Sequence, residues 1–468
     1  MTIDTTQLIG PQPDHVKRLV DSIYINGFAL DMSETGTGKS YCAAAVAREL
    51  GCQSSRPLVV IAPKTILPQW TKILALFNLK PYVAINYEKL GRGNTKYMKW
   101  KKQKCILKPW VENAVMDAPE FNFPKDALVI LDEGHKCKGN HSTNSWMMIM
   151  LKEQGYKVLV ASATLATTPI ELKAAGYLAD LHSLYNFDHF LRQHGAEWVG
   201  RFGAMSWDAA SVAAKHSMML LNEYFFDTRR CASRLTVDDF GVLFPESHIV
   251  AEAYDLGSAT GKINDIYDDM ETEIAKLDER AGNYSQHIFA IMMEARRRSE
   301  LLKVPFFVDT LEDLYDEGKS VVLFVNFQDT VDAVVKRLNK MKKFKDTIGY
   351  IVGGQHHKTR QKDIEDFNAD KKRIMVANIK AGGVGISLHD LNGNHARASI
   401  ISPNFSAFEL VQALGRVWRQ GGKTKSFQNI VYAAGTIEEK ACHRVQFRMN
   451  NLSTLNDADL REGIKMFG

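Results

Sequence analysis

Cysteine is scarce and scattered in this chain, with six residues at positions 42, 52, 105, 137, 231 and 442 and no close pair among them. That spacing excludes a zinc module and a disulfide framework, and it suits a reducing compartment. No apolar run approaches the ~18 residues of a membrane span. The N-terminus, Met-Thr-Ile-Asp-Thr-Thr, has neither a basic start nor an apolar core, so no signal peptide is expected. Internal repeats and low-complexity tracts are missing as well. Charge imbalance is small, 59 basic against 54 acidic residues for a net +5, which permits a polyanionic partner without demanding one. What remains is an ordinary globular composition, neither secreted nor membrane-bound. At 468 residues the chain is too long for one core, and roughly two to four domains are expected.

Short apolar runs alternate with longer amphipathic stretches, the pattern of α/β folds with parallel sheets. Strand-like runs are Phe28–Leu30, Leu58–Ala62, Leu128–Leu131 and Val158–Ala161 in the first half. In the second half they are Val321–Val325, Ile348–Val352, Ile374–Ala377, Ser399–Ile401 and Ile430–Tyr432. A polar, helix-rich stretch over 255–303 lies between them, and a boundary is expected near Phe244-Pro245-Glu246, giving domains 1–246 and 247–468. In such folds ligands bind just past the C-terminal ends of strands.

One strand-like run leads into Met32-Ser33-Glu34-Thr35-Gly36-Thr37-Gly38-Lys39-Ser40, followed by an Ala-rich helical stretch. Strand, glycine loop and helix together make a phosphate cradle, with backbone N–H groups and the helix N-terminus favouring anionic oxygens. Lys39 is placed to reach the β- and γ-phosphates of ATP, and the Ser40 hydroxyl to ligate Mg²⁺. Ser33 stands where the strict pattern has glycine, which leaves open a plain glycine-rich turn before a helix. Asp132-Glu133-Gly134-His135 ends another apolar run: Asp132 suits Mg²⁺, and Glu133 suits orienting and deprotonating a water. Adjacent carboxylates are more often solvated charges, but a buried strand and an upstream phosphate loop argue otherwise. Gln412 to Gly421 carries Arg416 and Arg419 at i and i+3, expected on one helix face and able to meet a γ-phosphate; a salt-bridging surface helix is the alternative. Ala377 to Leu388 is a glycine-rich loop after a strand, including Lys380, Gly382, Gly383 and Gly385.

Taken in order, these motifs resemble those of superfamily 2 helicases, and among them the Swi/Snf-type DNA translocases. Ser162-Ala163-Thr164 is similar to the motif that couples hydrolysis to domain movement in that family. Val60 to Trp70, with Pro63, Lys64 and Thr65, looks like the family's DNA-contacting motif. Gln12 sits where the family places its adenine-reading glutamine, and Gly353-Gly354 with Arg360 and Phe367 resembles its second-domain motif. The resemblance implies two tandem RecA-like domains with the ATP site in the cleft between them, and Mg²⁺ held through Ser40 and Asp132. It implies ATP contacts from Gln12, Thr35, Gly36, Thr37, Gly38, Lys39, Ser40, Gly385 and Gln412, with Arg416 and Arg419 closing over them. Ser-Ala-Thr departs from the Thr-Gly-Thr-Pro of chromatin remodellers, and no chromatin-reading module is expected. The resemblance therefore points to compact annealing, fork-reversing or phage branch-migration helicases.

The expected activity is ATP-dependent remodelling of branched DNA, bound without sequence specificity by a monomer, with single-strand-binding or recombination proteins as further partners. Such a motor would act in the cytoplasm, or in a nucleus. Duplex translocation without strand separation, an RNA helicase, and an ATP-switched binding protein with little turnover stay open. The stretch from Arg92 to Lys108 holds seven cations and no acid, so Lys99, Lys101, Lys102 and Lys104 are expected to meet phosphates and Trp100 a base. The plainer alternative is a solvated basic face with Trp100 packed on the core. Arg296-Arg297-Arg298 reads as a solvated cluster.

Overall fold

A computed structural model describes residues 5–140, 142–199, 204–277, 284–382, 386–403, 406–419 and 421–457. Its strands are β1 (Phe28–Asp31), β2 (Leu58–Ala62), β3 (Val83–Asn86), β4 (Asn94–Thr95), β5 (Met98–Lys104), β6 (Val115–Phe121), β7 (Leu128–Asp132), β8 (Lys157–Ala161), β9 (Ala196–Val199), β10 (Ala204–Trp207) and β11 (Ala232–Ser233). They continue as β12 (Ser247–Tyr254), β13 (Ser320–Val325), β14 (Ile348–Ile351), β15 (Ile374–Asn378), β16 (Arg397–Ile401) and β17 (Ser426–Ala433). The chain divides into two compact units, Met1–Gly241 with Phe447–Gly463, and Val242–Gln446 with Ile464–Gly468.

In the first unit a six-stranded parallel sheet runs in the order β11-β1-β8-β7-β2-β3. Its inner strands are continuous apolar runs because helices cover both faces, leaving neither side of the pleat to water. The helix Gln12–Asn26 buries Val16, Leu19, Val20 and Ile23, spaced for one helical face. The helix Lys39–Glu49 is alanine-rich and its alanines are buried, so it lies close to the sheet. A three-stranded antiparallel sheet, β4-β5-β6, and a β9-β10 pair complete the described sheets of this unit. The tail of the helix Ile437–Asp457 also belongs here: Asn222 Nδ2 donates to Leu455 O at 2.7 Å, and Asn456 Nδ2 to Ala163 O at 3.2 Å.

The second unit holds another six-stranded parallel sheet, ordered β12-β17-β16-β13-β15-β14. Helices Ser258–Ala275 and Tyr284–Leu302 occupy the polar stretch ahead of it. Two charged features lie inside this unit. Glu300, nearly fully buried, accepts from Asn326 N, Asn326 Nδ2, Phe327 N and Ser402 Oγ, joining the ends of β13 and β16. Lys303 and Glu438 form a buried ion pair at 2.8 Å. Of the Arg296–Arg298 cluster, Arg298 is exposed, and Arg297, half-buried, is bonded to Glu294 at 2.7 Å and to Asp329. Among the described residues, no helix is long and apolar enough to cross a membrane.

Candidate active site

Sheet order alone gathers the first unit's motifs. β1, β8, β7 and β2 are neighbours, so the phosphate loop, Ser162-Ala163-Thr164, Asp132-Glu133 and the Pro63–Thr65 turn emerge side by side. Register makes this sharper: Asp31 and Asp132 both pair with Ala161 on the strand between them.

The loop after β1 is stitched to its surroundings. Gln12 Nε2 donates to Thr37 O at 2.9 Å, while its Oε1 accepts from Ile9 N at 2.9 Å. Gly38 is left-handed at φ +88°, and a Cβ there would lie 2.5 Å from that same Nε2. Glycine is needed at this point both for the backbone and for the glutamine. Lys39 Nζ donates to Ser33 O at 2.8 Å and Glu34 O at 2.7 Å. Burial lowers the Lys39 pKa, against the opposing pull of Asp31, Glu133 and Asp132.

Ser33, where a glycine was the simpler choice, has its own partners. Its hydroxyl accepts from Leu235 N at 3.0 Å and lies 3.3 Å from His15 Nε2. The same imidazole nitrogen is 3.2 Å from Asp31 Oδ1, and its Nδ1 is 2.8 Å from Ser233 Oγ. Burial pushes the Asp31 carboxyl up, but the His15 charge and hydrogen bond, with help from Lys39 and Ser33, hold it below its ordinary value. Arg234 adds an outer clasp, donating to Met32 O at 2.7 Å and pairing with Glu34 at 3.0 Å.

Asp132, at the end of β7, accepts from Trp70 Nε1 at 2.6 Å on one oxygen and from Glu133 N at 2.9 Å on the other. Tyr87 OH donates to the Asp132 carbonyl at 2.9 Å. Burial and the adjacent Glu133 charge push the Asp132 carboxyl up to about 7, against the Trp70 bond. Glu133 adopts φ +56°, a left-handed geometry uncommon for a side-chain-bearing residue and typical of functional sites. That turn carries His135 back to it: His135 Nδ1 is 3.3 Å from Glu133 Oε2 and 3.4 Å from Ser162 Oγ. Thr164 N donates to Ser162 Oγ at 3.3 Å. The Pro63 turn, closed by Ile66 N donating to Pro63 O at 3.1 Å, leaves Lys64 and Thr65 exposed.

The second unit carries the remaining motif residues. Gln412 and Arg416 are buried on the helix Ala407–Val417. Arg416 Nη1 donates to Ile386 O at 3.1 Å. The helix stops there, and Trp418 is extended at φ −124°, so Arg419 lies past its end. The expectation of both arginines on one helix face is corrected accordingly: the chain turns because Trp418 Nε1 is drawn to Pro245 O at 2.6 Å and its ring to Phe244. Arg419 Nε returns to Gly415 O at 3.0 Å. Lys380, exposed, and Gly382 lie on the short helix Ile379–Gly382 after β15. Arg360 Nη2 donates to Ala381 O at 2.6 Å. Gly383 and Gly385 lie outside the described residues.

Two family models match this chain: "Type III restriction enzyme, res subunit" over residues 9–167 and "Helicase conserved C-terminal domain" over residues 304–421. A protein of Acanthamoeba polyphaga mimivirus, named a putative ATP-dependent RNA helicase, is 31% identical over 474 residues, covering 98% of this chain and 85% of that protein. The chain belongs to the superfamily 2 helicases. The Saccharomyces cerevisiae DNA repair and recombination protein RAD54 is 33% identical over 146 residues, 31% of this chain and 15% of that protein. A solved Sulfolobus solfataricus SWI2/SNF2 ATPase core in complex with dsDNA aligns over 98% of this helicase and 94% of that chain, at 15% identity and TM-score 0.36.

Each unit of this helicase is built on a six-stranded parallel sheet, and the chain is a helicase-family ATPase. Its donor set suits Mg²⁺: a hydroxyl from Ser40 and a buried carboxylate from Asp132 are hard oxygen ligands. Several members of the site escape sequence reasoning. His15, Asp31, Ser233 and Arg234 come together across some two hundred residues of chain, and no local pattern signals them. Trp70 has a signal, its place in the motif after β2, but not its partner Asp132.

Proposed function

We propose that this helicase hydrolyses ATP on Lys39, Asp132 and Glu133, and uses the energy to translocate on DNA and remodel branched structures. The observation that carries the reading is His135, standing between Glu133 and Ser162. Glu133 orients and deprotonates the attacking water; any shift of its carboxylate on hydrolysis reaches Ser162 through one imidazole. Ser162 N donates to Asp31 O at 2.9 Å, so the coupling motif is also tied to the strand that carries the phosphate loop. Gln12 holds that loop and reads adenine, and Lys39 exchanges its carbonyl partners for phosphate oxygens. Bound Mg²⁺ would neutralise phosphate charge between Ser40 and Asp132.

In this reading the two parallel-sheet units are the two motor domains, and the first binds ATP. Arg416 and Arg419 face the γ-phosphate, with Gln412 and Gly385 beside the nucleotide. Lys64 and Thr65 grip one strand from the first domain, and Lys380 with the Gly382–Gly383 loop from the second. Alternating grip gives directional stepping. Fork regression, four-way-junction migration or unwinding are the resulting tasks, in replication, recombination or repair. The mimivirus relative's name favours a second reading, an RNA helicase. ATP turnover and strand rearrangement measured on forks, four-way junctions, plain duplex, single strands and RNA separate the two. Stimulation and product on junctions are expected; RNA alone as effector would replace the DNA reading.

A further inference from the structure

The basic stretch folds differently from the reading in which Trp100 meets a base. Trp100 Nε1 donates to Gly91 O at 3.1 Å, and a Cβ on Gly93 (φ +69°) would lie 2.2 Å from the indole. Glycine there lets the turn close directly on the ring, so Trp100 is a packing residue. Cross-strand acids also offset part of the charge: Lys101 pairs with Glu120, and Lys102 stands opposite Asp117 on β6.

A different aromatic is presented. Trp110, in the turn joining β5 to β6, is 68% exposed, and its ring meets that of Tyr185, 56% exposed, edge to face at 5.6 Å and 89°. Both are held on fixed backbone. The turn is closed by Val111 N donating to Lys108 O at 3.0 Å and Cys105 N to Ala114 O at 2.8 Å. Tyr185 stands on a short helix capped reciprocally by Ser183 and Asn186, between buried Leu184 and Phe187. Val111 and Val115 extend the apolar surface. Exposed Lys99, Lys102, Lys104 and Lys108 surround it along the chain, with Glu112 the acid within the turn.

We infer that Trp110 and Tyr185 form a stacking platform for an unpaired nucleobase, and that the neighbouring lysines hold the phosphates of that single strand. A large apolar pair kept in water beside several cations fits a ligand with flat apolar faces and an anionic backbone. Bases within a duplex are already stacked and offer only their edges, so the platform selects single-stranded over double-stranded nucleic acid. The inference rests on the nucleic-acid motor reading and adds to it a distinct site for the unwound or displaced strand.

The test is fluorescence anisotropy with labelled oligothymidine, oligouridine and a blunt DNA duplex, on the intact chain and its variants. Trp110→Ala and Tyr185→Ala should each weaken single-strand binding about tenfold, leaving duplex binding and basal ATP hydrolysis unchanged. Trp110→Phe should retain most of the affinity. Stacking releases no counterions, so the salt slope of Trp110→Ala should match wild type, whereas Lys104→Gln with Lys108→Gln should flatten it. The oligothymidine and oligouridine arms tell which sugar the site takes. Equal losses on duplex and single strand, or none on single strand, overturn the platform. Duplex binding by wild type without single-strand binding removes the platform but leaves the motor reading; binding to neither removes both.

Discussion

Trp70→Phe is the substitution that most directly probes how the Asp132 carboxylate, proposed to hold Mg²⁺, is itself held. The indole N–H donates to Asp132 Oδ2 at 2.6 Å, and both residues are buried, so its loss leaves a carboxylate oxygen short of a donor away from water. A hydrogen bond to a charged acceptor contributes about 1.5–3 kcal/mol. Shrinking the buried ring adds about 1 kcal/mol of lost packing. The packing part persists in an Asp132→Ala background, which has no side-chain acceptor, so a double-mutant cycle isolates the bond, with a coupling of about 1.5–3 kcal/mol expected. Hydrogen exchange of the β7 amides under urea reads the first unit alone.

The pH dependence has a defined sign. Asp132 is raised to about 7 from 3.8, so between those values the folded state holds a proton that the unfolded chain has released. Stability from this group therefore falls as pH rises through that window, and levels off above it. The Trp70 bond favours the ionised form, so removing it raises the Asp132 pKa further. In Mg²⁺-free buffer the gap between Trp70→Phe and wild type should be small near the acid end of the window and widest above about 7. A coupling near zero, with a gap flat across pH, refutes the role given to Trp70.

Other outcomes follow from the same geometry. Lys39→Ala removes the cation of the phosphate loop and should lower kcat/KM for ATP by about 10²-fold or more; steady-state hydrolysis near wild type would remove the loop's assignment. Gln12→Ala loses two hydrogen bonds to the loop and its flank, each about 1 kcal/mol, and should weaken ATP binding roughly fivefold or more with less preference for adenine; titration with ATP and GTP checks both. Lys303→Met strands the Glu438 carboxylate in the second unit and should cost about 3–5 kcal/mol, read as lost exchange protection in β17. A loss under about 1 kcal/mol would mean the pair is not buried in solution.

The central strands were legible because parallel strands covered on both faces must be apolar throughout, and β1, β2, β7, β8 and β13 announce themselves that way. β5 was not: Met98-Lys99-Trp100-Lys101-Lys102-Gln103-Lys104 lies on a small antiparallel sheet with much of its length in water, so its composition reads as a charge run. β3 is only four residues long and its burial alternates. At the site, spacing along the chain pointed to the glycine loop, the paired carboxylates and Ser162, whose strands are neighbours in the sheet. It did not show that Ser33 bonds Leu235 N, since the partner is 202 residues away. Nor did helical spacing show that Arg419 leaves the helix, because Trp418 breaks it through a contact with Pro245. Composition marked the stretch around Trp100 as a surface for nucleic acid, but whether an indole faces solvent or a glycine turn is decided by tertiary packing.

ATP turnover by Glu133→Gln beside wild type, each with and without saturating nucleic acid, tests the account most directly. Wild type should be stimulated by nucleic acid. Glu133→Gln should bind ATP and nucleic acid normally yet lose about 10²-fold or more in turnover, because the amide cannot accept the water's proton. Unchanged turnover in Glu133→Gln, or wild-type hydrolysis indifferent to every nucleic acid, would contradict it.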